Sequence, residues 1–345
     1  MAQTEPAATG ERYARQSVLP MIRAAGQQRL ADSAVLIVGC GALGSVQAEL
    51  TARAGVGRLI VVDRDILELH NLHRQILFTE QDVRDRLPKA EAAARHLRAI
   101  NSEIAIEAVT TDVTPANVEA LVQRADLVLD GTDNFETRYL LNDCCVKLGK
   151  PWVYGGVLGS DGTVMAVQPG QGPCLRCIFP EPPDASTVPT CETRGVLNTA
   201  VMWVAALEVT EGMKILVADP AAQVRLYALD IWGGTFASVT PQRNDECPCC
   251  GQRQFGFLTG KRGSSSTVFC GRNAVQVTPE RPVNPDFGRL TQRLNSLGRT
   301  TMNGLVLEFE TDKHRLVVFP DGRVLVLGTT NPTEARGLVA KYIGS

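Results

Sequence analysis

The sequence lacks an excess of charge, a long apolar run and a hydrophobic amino-terminal segment. Its 35 Lys and Arg residues balance 37 Asp and Glu residues, for a formal charge of -2, so no global basic field favours nucleic acid or a membrane surface. The longest apolar stretch, 196–209, is shorter than a bilayer span and contains Asn198 and Glu208. Residues 1–15 are polar and do not resemble a signal peptide. We therefore expect a cytoplasmic protein that has neither nucleic acid nor a membrane as its partner.

Histidine is also scarce, and the 4 histidines show no ligand spacing. The 10 cysteines are therefore the residues to consider for metal binding or catalysis. In a long chain without a secretion signal, such cysteines favour these roles over disulfides. A chain of 345 residues with 44% hydrophobic and 21% charged residues has room for one large globular domain and a smaller one.

Residues 34–154 alternate between apolar, β-rich runs and helical patterns. The predicted strands are Val35–Val38, Arg58–Val62, Ile104–Val109 and Leu127–Leu129, and the clearest helices are Pro88–Ile100 and Pro115–Arg124. Strands that are buried on both faces give continuous apolar runs, so the pattern predicts a doubly wound, Rossmann-like α/β fold with a mostly parallel sheet. Further along the chain, we expect two strands in 151–168 that meet at Gly159–Gly162, a long helix at Val196–Leu216 and a strand at Val224–Asp230.

A change in composition at Lys261–Ser266 indicates a linker. We therefore predict a large domain at 1–260, a linker at 261–266 and a small α+β domain at 267–345. The small domain contains three apolar strand patterns, at Leu305–Glu310, His314–Phe319 and Arg323–Leu327, followed by a helix that Asn331 caps.

A glycine motif follows the first predicted strand and opens a helix. It reads Gly39-Cys-Gly41-Ala42-Leu-Gly44, and its glycines would let the backbone approach phosphate oxygens at the helix N-terminus. Asp63 ends the next strand about 20 residues later, where an acidic side chain binds a ribose hydroxyl. The motif predicts a nucleotide site without specifying the nucleotide.

Polar residues after the next strands narrow the choice of nucleotide. These residues are Asp65, Asn71, Arg74, Gln75, Lys89, Asp133 and Asn134. Hydride transfer needs no such cluster, whereas nucleotidyl transfer requires cations that neutralise a triphosphate. Asp133 follows a strand at the carboxyl edge of the sheet, where a carboxylate can hold Mg²⁺.

These motifs, together with Arg12-Tyr-Ala-Arg15-Gln16, closely resemble those of the MoeB/ThiF family, the bacterial relatives of ubiquitin-activating enzymes. The resemblance covers about 11–251. It implies a homodimer that binds ATP and Mg²⁺ and adenylates the terminal glycine of a small β-grasp, ubiquitin-like sulfur-carrier protein ending in Gly-Gly. The sequence departs from the family at Ala42, where Gly is frequent, and in a slightly longer stretch between Arg74 and Lys89.

The resemblance also implies roles for individual residues. Asp63 would bind ribose, whereas Asn71, Arg74 and Lys89 would bind the phosphates. Asp133 would assist Mg²⁺, and Arg15 would reach the γ-phosphate of the partner subunit's ATP. We therefore expect Arg15, Arg74 and Asp133 to act in catalysis.

Two C-x-x-C pairs suggest a structural zinc site. Cys174 and Cys177 form one pair, and Cys247 and Cys250 form the other. Two such knuckles can bind Zn²⁺ tetrahedrally through four thiolates, although the long gap between the pairs leaves coincidence open on spacing alone. The family carries zinc in this place, and the resemblance therefore implies it here. Cys249 is an extra cysteine that we expect to point away.

Cys191 lies in a polar loop before the long helix, near Arg194. A cationic neighbour and a helix N-terminus can activate a thiol as a nucleophile. The resemblance implies either a covalent relay to the carrier or a bystander, since some family members work by adenylation alone. No rhodanese-like segment is evident, so we expect a separate sulfurtransferase or desulfurase to supply the sulfur.

Two other functions are consistent with the same motifs. The glycine loop and zinc also suit an NAD-dependent oxidoreductase, and a non-catalytic scaffold could bind nucleotide and a β-grasp partner. The sequence leaves the pathway open among molybdopterin, thiamin, cysteine and tRNA thiolation, and protein conjugation.

Overall fold

The computed structural model of the protein describes residues 11–183, 194–260, 268–269, 273–279 and 284–343. The chain divides into two compact units. The first unit consists of Met1–Val83 and Lys89–Arg262, and the second unit consists of Arg84–Pro88 and Gly263–Ser345. The predicted linker, 261–266, lies outside the described residues, and the predicted boundaries at 260 and 267 stay predictions. Within the described ranges, no helix is both long and apolar enough to cross a membrane.

The first unit is built on an eight-stranded sheet in the order β3-β2-β1-β4-β5-β6-β7-β8. Its strands are β1 (Ala34–Val38), β2 (Arg58–Val62), β3 (Ala105–Val109), β4 (Leu127–Asp130), β5 (Trp152–Leu158), β6 (Asp161–Val167), β7 (Leu226–Asp230) and β8 (Thr235–Val239). The neighbouring strands β3, β2, β1, β4 and β5 pair in parallel, whereas β5, β6, β7 and β8 pair antiparallel. This confirms the predicted α/β fold with a mostly parallel sheet.

Helices precede and connect the strands of this sheet. They are α1 (Ala14–Ser17), α2 (Arg23–Asp32), α3 (Ala42–Ala54), α4 (Glu80–Arg84), α5 (Lys89–Ile100), α6 (Val118–Gln123), α7 (Phe135–Leu148), α8 (Leu175–Ile178) and α9 (Asn198–Leu216), with a 3₁₀ turn at Leu69–Asn71. The end of α7 has a clear local cause, since Gly149 adopts the left-handed conformation that terminates a helix. Its start is capped by the Asn134 side chain, which accepts a hydrogen bond from the Thr137 amide.

The register of the parallel strands brings three loops to one edge of the sheet. Val38 lies opposite both Val62 and Asp130, at the ends of three neighbouring strands. The apolar residues that precede Val38, Val62 and Asp130 in their strands are fully buried. Their burial stabilises the positions of the three strand ends. The segments that follow Val38, Val62 and Asp130 therefore emerge side by side, as ligand sites in such folds require.

The second unit is a six-stranded antiparallel sheet in the order β11-β12-β13-β14-β10-β9. Its strands are β9 (Val268–Phe269), β10 (Ala274–Val277), β11 (Arg299–Met302), β12 (Leu307–Glu310), β13 (Arg315–Val318) and β14 (Val324–Leu327), and its helices are α10 (Phe287–Leu294) and α11 (Pro332–Tyr342). The two helices pack on one face of the sheet, where Leu294, Phe309 and Ala335 are fully buried. The predicted small α+β architecture is thereby confirmed, and the Asn331 side chain caps α11 as expected.

Candidate nucleotide site and four-cysteine cluster

The glycine loop between β1 and α3 depends on close contact between backbones. Gly39 has a φ of +85°, a conformation that glycine adopts without strain. A Cβ atom on Gly44 would lie 1.8 Å from the Gly39 carbonyl oxygen, and one on Gly131 would lie 2.2 Å from it. Ala42 starts α3 and needs no positive φ, so its methyl group is compatible with the turn. The amides at the start of α3 are thus placed to receive an anion.

Asp63 holds this loop to the end of β2. One carboxylate oxygen accepts a hydrogen bond from the Cys40 amide at 2.6 Å, and the other accepts one from the Asp65 amide at 2.7 Å. Burial raises the pKa of Asp63 above its ordinary value, while the Lys89 charge and both amides act against that rise. Each oxygen keeps a further lone pair, so the side chain can also accept ribose hydroxyls.

Lys89 is the first residue of α5 and is 2% exposed. Its ammonium lies 3.0 Å from an Asp65 carboxylate oxygen, and its backbone amide donates to the Asp65 carbonyl at 2.9 Å. A buried cation in this position can interact strongly with a phosphate because little water screens it. The structure thus brings predicted residues Asp63, Asp65 and Lys89 together.

Asn71 and Gln75 are buried polar residues around the 3₁₀ turn. Within the described part of the chain, neither the Asn71 amide nitrogen nor the Gln75 amide oxygen has a hydrogen-bond partner. Buried polar atoms of this kind require an explanation, and a polar ligand would provide one. Arg74 lies between them, and its guanidinium donates to the His70 carbonyl at 3.1 Å.

Asp133 is exposed on the loop that follows β4, and Asn134 uses its side-chain oxygen to cap α7. A buried ion pair holds this loop in place. Arg138 lies 3.2 Å from Asp130 and donates to the carbonyls of Thr132 and Gly155 at 2.8 and 3.0 Å. This pair was not predicted from the sequence, because an arginine in a helix is usually exposed.

Glu208 is a second buried acid that sequence reasoning missed. It is fully buried on α9, and burial raises its pKa well above the ordinary value, with the Asp130 charge acting in the same direction. Its carboxyl group lies beside Gly155, where a Cβ atom would meet it at 2.3 Å. A protonated Glu208 avoids placing a second negative charge beside Asp130.

Arg15 and Cys191 are the remaining predicted functional residues. Arg15 is an exposed residue of α1, which is compatible with a role at a subunit contact. Cys191 lies outside the described residues, so its role stays a prediction.

Four cysteines from the two C-x-x-C pairs form one cluster. The sulfurs of Cys174, Cys177, Cys247 and Cys250 all lie within 4.8 Å of one another. Four thiolates so close together fit a tetrahedral zinc ion that has no open position. Cys249 is outside this group, and its sulfur accepts a hydrogen bond from the side-chain amide of Asn142 at 3.2 Å.

Comparison with known proteins identifies the class to which this fold and site belong. A model of the ThiF family matches residues 13–249, and the chain belongs to that family, as predicted. It is 38% identical over 336 residues to the sulfur carrier protein ThiS adenylyltransferase of Bacillus subtilis, a match that covers 96% of this chain and 99% of that protein.

One further relative and one solved structure are similar to most of the chain. The SAMP-activating enzyme E1 of Haloferax volcanii is 41% identical over 243 residues, covering 70% of this chain and 89% of that protein. The crystal structure of E. coli MccB with ATP is similar with a TM-score of 0.61 at 23% identity, over 70% of this chain and 75% of that chain. At this identity, the likeness to MccB shows the fold alone.

Proposed function

We propose that this protein is an ATP-dependent adenylyltransferase whose substrate is the C-terminal glycine carboxylate of a ThiS-like, β-grasp sulfur carrier. The observation that carries the proposal is the match to the Bacillus subtilis ThiS adenylyltransferase, which extends over 99% of that protein and includes the second unit. The edge of the sheet that holds the glycine loop, Asp63 and Lys89 supports it. Among the open pathways, this match favours thiamin synthesis.

The proposed reaction transfers the adenylyl group of ATP to the carrier. A carboxylate oxygen of the carrier attacks the α-phosphorus, the bond from that phosphorus to the bridging oxygen breaks, and pyrophosphate leaves. The amides at the start of α3 and the side chains of Asn71, Arg74 and Lys89 would bind the phosphates, while Asp63 would bind the ribose. The two cations would stabilise the charge that grows on the leaving group, and catalysis would come from this charge and from positioning.

Two metals belong to the proposal. Asp133 fits a Mg²⁺ ligand because its exposed carboxylate stands at the carboxyl edge of the sheet, and Mg²⁺ prefers such oxygen ligands and keeps several waters. When bound, Mg²⁺ would neutralise phosphate charge. Zinc fits the four-cysteine cluster and would stabilise the fold without taking part in the reaction.

The oligomeric state and the source of the sulfur also belong to the proposal. We expect a cytoplasmic homodimer in which Arg15 reaches the ATP bound to the other subunit. A separate sulfurtransferase or desulfurase would supply sulfur to the adenylated carrier, and Cys191 is the residue proposed to relay it. Replacing Cys191 with Ala should therefore leave adenylation intact, since the nucleotide residues are untouched.

Exchange of radiolabelled pyrophosphate into ATP, in the presence of a purified ThiS-like carrier, tests the proposal. Arg74→Ala and Asp133→Ala should each reduce exchange by about 100-fold or more while leaving the protein folded. Arg53→Ala, a change at an exposed arginine of α3, is the matched control and should retain full activity. A carrier without its last glycine should not support exchange.

The other two functions would give different results in nucleotide binding or in pyrophosphate exchange. An oxidoreductase would bind NAD in preference to ATP in a calorimetric titration. A scaffold would bind ATP and the carrier yet show no exchange with wild-type protein. Either result would contradict the proposed adenylation.

A further inference from the structure

Three buried oxygen atoms on α3 and α9 have no hydrogen-bond partner among the residues that the structure describes. They are Oε1 of Gln47 and both carboxyl oxygens of Glu208. Both side chains are fully buried, and the two helices pack against each other. Buried polar atoms without a partner are rare in folded proteins, so this group requires an explanation.

The nitrogen of the Gln47 side chain is already in use. It donates a hydrogen bond to the backbone carbonyl of Asp130, the last residue of β4, at 3.0 Å. This bond fixes the orientation of the amide, because a carbonyl oxygen needs a donor and cannot pair with Oε1. The Gln47 side chain is also within hydrogen-bonding reach of the Glu208 carboxyl group. Oε1 is therefore the atom of Gln47 that remains for Glu208.

Glu208 can supply the missing donor only if it carries a proton. An ionised carboxylate offers acceptors alone, whereas a protonated carboxyl group has one O–H donor. Burial raises the pKa of Glu208 well above its ordinary value, and the Asp130 charge acts in the same direction, while Gln47 and Arg138 oppose the rise. A proton on Glu208 would pair with Oε1 of Gln47 and satisfy both side chains.

The surroundings of Glu208 also favour the neutral form. The charges that act on it are Asp130 on β4 and Arg138 on α7, and these two already form an ion pair with each other at 3.2 Å. On the side of β5, the carboxyl group lies against Gly155, and β6 places Gly162 against α9. An ionised Glu208 would thus add an uncompensated negative charge to a buried ion pair.

The bond from Gln47 to β4 lies behind the glycine loop. Gln47 follows Gly44 by three residues on α3, so the two residues share one face of the helix. Asp130 directly precedes Gly131, where a Cβ atom would lie 2.2 Å from the Gly39 carbonyl oxygen. Gln47 therefore joins α3 to β4 close to the point where the loop backbones meet.

We propose that Glu208 is a positioning residue that acts as a neutral acid: it keeps its proton, donates a hydrogen bond to Oε1 of Gln47, and so holds Gln47 against the Asp130 carbonyl. The inference rests on the proposed role of the glycine loop in binding ATP phosphates. Without the proton, the Gln47 amide would have to turn to donate to the carboxylate. Its bond to Asp130 would then be lost, and the support behind the loop with it.

Replacement of Glu208 by Gln is the central test, because the amide retains the shape and supplies a donor at every pH. The unfolded chain ionises Glu208 near its ordinary pKa, whereas the folded protein keeps the proton, so the wild type loses stability as pH rises from the unfolded pKa towards the folded pKa. Glu208→Gln is free of this loss. In thermal melts of the full-length protein followed by tryptophan fluorescence, its Tm should rise relative to the wild type between pH 5 and pH 8.

Glu211 provides a matched control on the same helix. It is 1% exposed, forms an ion pair with Lys214 at 2.5 Å and accepts a hydrogen bond from the Tyr227 hydroxyl at 3.1 Å. Glu211→Gln removes that ion pair and should lower the Tm at pH 8. If the Tm of Glu208→Gln relative to the wild type stays constant or falls between pH 5 and pH 8, Glu208 is ionised in the folded protein and the proposal is overturned.

Infrared spectroscopy detects the proton without any assay of activity. The difference spectrum between wild type and Glu208→Gln at pH 7 should contain the C=O stretching band of a protonated carboxyl group. Absence of that band from the difference spectrum would also overturn the proposal.

Kinetics then test the effect on the nucleotide site. In pyrophosphate exchange at pH 7, Glu208→Gln should keep the wild-type KM for ATP. Glu208→Leu has no donor and should raise this KM about tenfold, as expected from one unsatisfied buried group, with a smaller fall in kcat. Gln47→Met removes the bond to Asp130 and should have a similar effect, and it replaces Glu208→Leu if that variant does not fold. A wild-type KM in a folded Leu or Met variant would refute the positioning role.

These measurements separate the inference from the proposed function. If wild-type protein shows no pyrophosphate exchange with a carrier, the proposed function fails. ATP affinity from calorimetric titration then takes the place of the KM. Unchanged affinity in Glu208→Leu or Gln47→Met would overturn the inference, and about tenfold weaker affinity, with wild-type affinity in Glu208→Gln, would support it.

Discussion

Replacement of Arg138 by Met should destabilise the first unit strongly. The substitution keeps an apolar stem of similar length but removes the guanidinium that pairs with Asp130. Asp130 is fully buried, so the variant retains an acid that has lost its charged partner. Breaking a buried ion pair in this way costs about 3–5 kcal/mol, a large part of the usual stability of a domain.

The loss should depend on pH in a definite direction. Burial already raises the pKa of Asp130, and the Arg138 charge is the largest influence that lowers it. Without Arg138 the folded-state pKa rises further, while the unfolded value stays near 3.9. Stability is then lost as pH rises from the unfolded pKa to the folded pKa, by up to about 1.4 kcal/mol per pH unit. The variant should therefore differ more from the wild type at pH 8 than at pH 5.

Urea unfolding followed by tryptophan fluorescence measures this loss in the first unit alone. All 3 tryptophans, Trp152, Trp203 and Trp232, belong to that unit. The double variant Asp130→Asn with Arg138→Met removes the unpaired charge and should recover part of the stability at pH 8. Arg53→Met is the matched surface control. A loss below about 1 kcal/mol at both pH values would refute the reasoning, since breaking a buried pair is expected to cost several times more.

Two further predictions concern other parts of the first unit. Cys250→Ser should reduce the zinc content below about one ion per chain and lower the Tm, whereas Cys249→Ser should retain the metal; elemental analysis that finds no zinc in the wild type would contradict both. Glu107→Gln should lower stability at pH 7 by about 0.5 kcal/mol, because the pairs of Glu107 with Arg124 and Arg58 are partly exposed to solvent. Its hydrogen bond to Arg124 lowers the pKa of Glu107, so the stabilisation is present above the unfolded pKa and is lost as pH falls through the folded pKa. Thermal melts from pH 3 to 7 should show the two proteins converging on acidification, and a widening difference would be inconsistent with the pairs.

The central strands could be predicted from sequence because each is buried on both faces. Arg58–Val62 has the same bounds in prediction and structure, and β1 begins one residue earlier than expected. In contrast, β8 (Thr235–Val239) was not predicted. All five of its residues are exposed, so burial imposes no pattern on them.

The candidate site was predictable only where a motif places residues locally. The glycine loop and Asp63 follow strands directly, and their positions depend on short-range geometry. The ion pair of Asp130 with Arg138 was missed, because packing around the sheet, which spacing does not reveal, buries the arginine. The four cysteines span two distant segments, so the resemblance to a family was needed to connect them.

The contact of Gly39 with two other glycines has a consequence for how the protein can evolve. One carbonyl oxygen excludes a side chain at Gly44 and also at Gly131, although the two positions lie far apart in the sequence. A Cβ atom on Gly131 would also lie 2.8 Å from the Gly44 Cα atom, so the two substitutions would disturb the same few atoms. Their costs are therefore not expected to be additive. The effect of a substitution at one of these glycines therefore depends on whether another has already been substituted. We expect Gly39, Gly44 and Gly131 to be retained together in evolution.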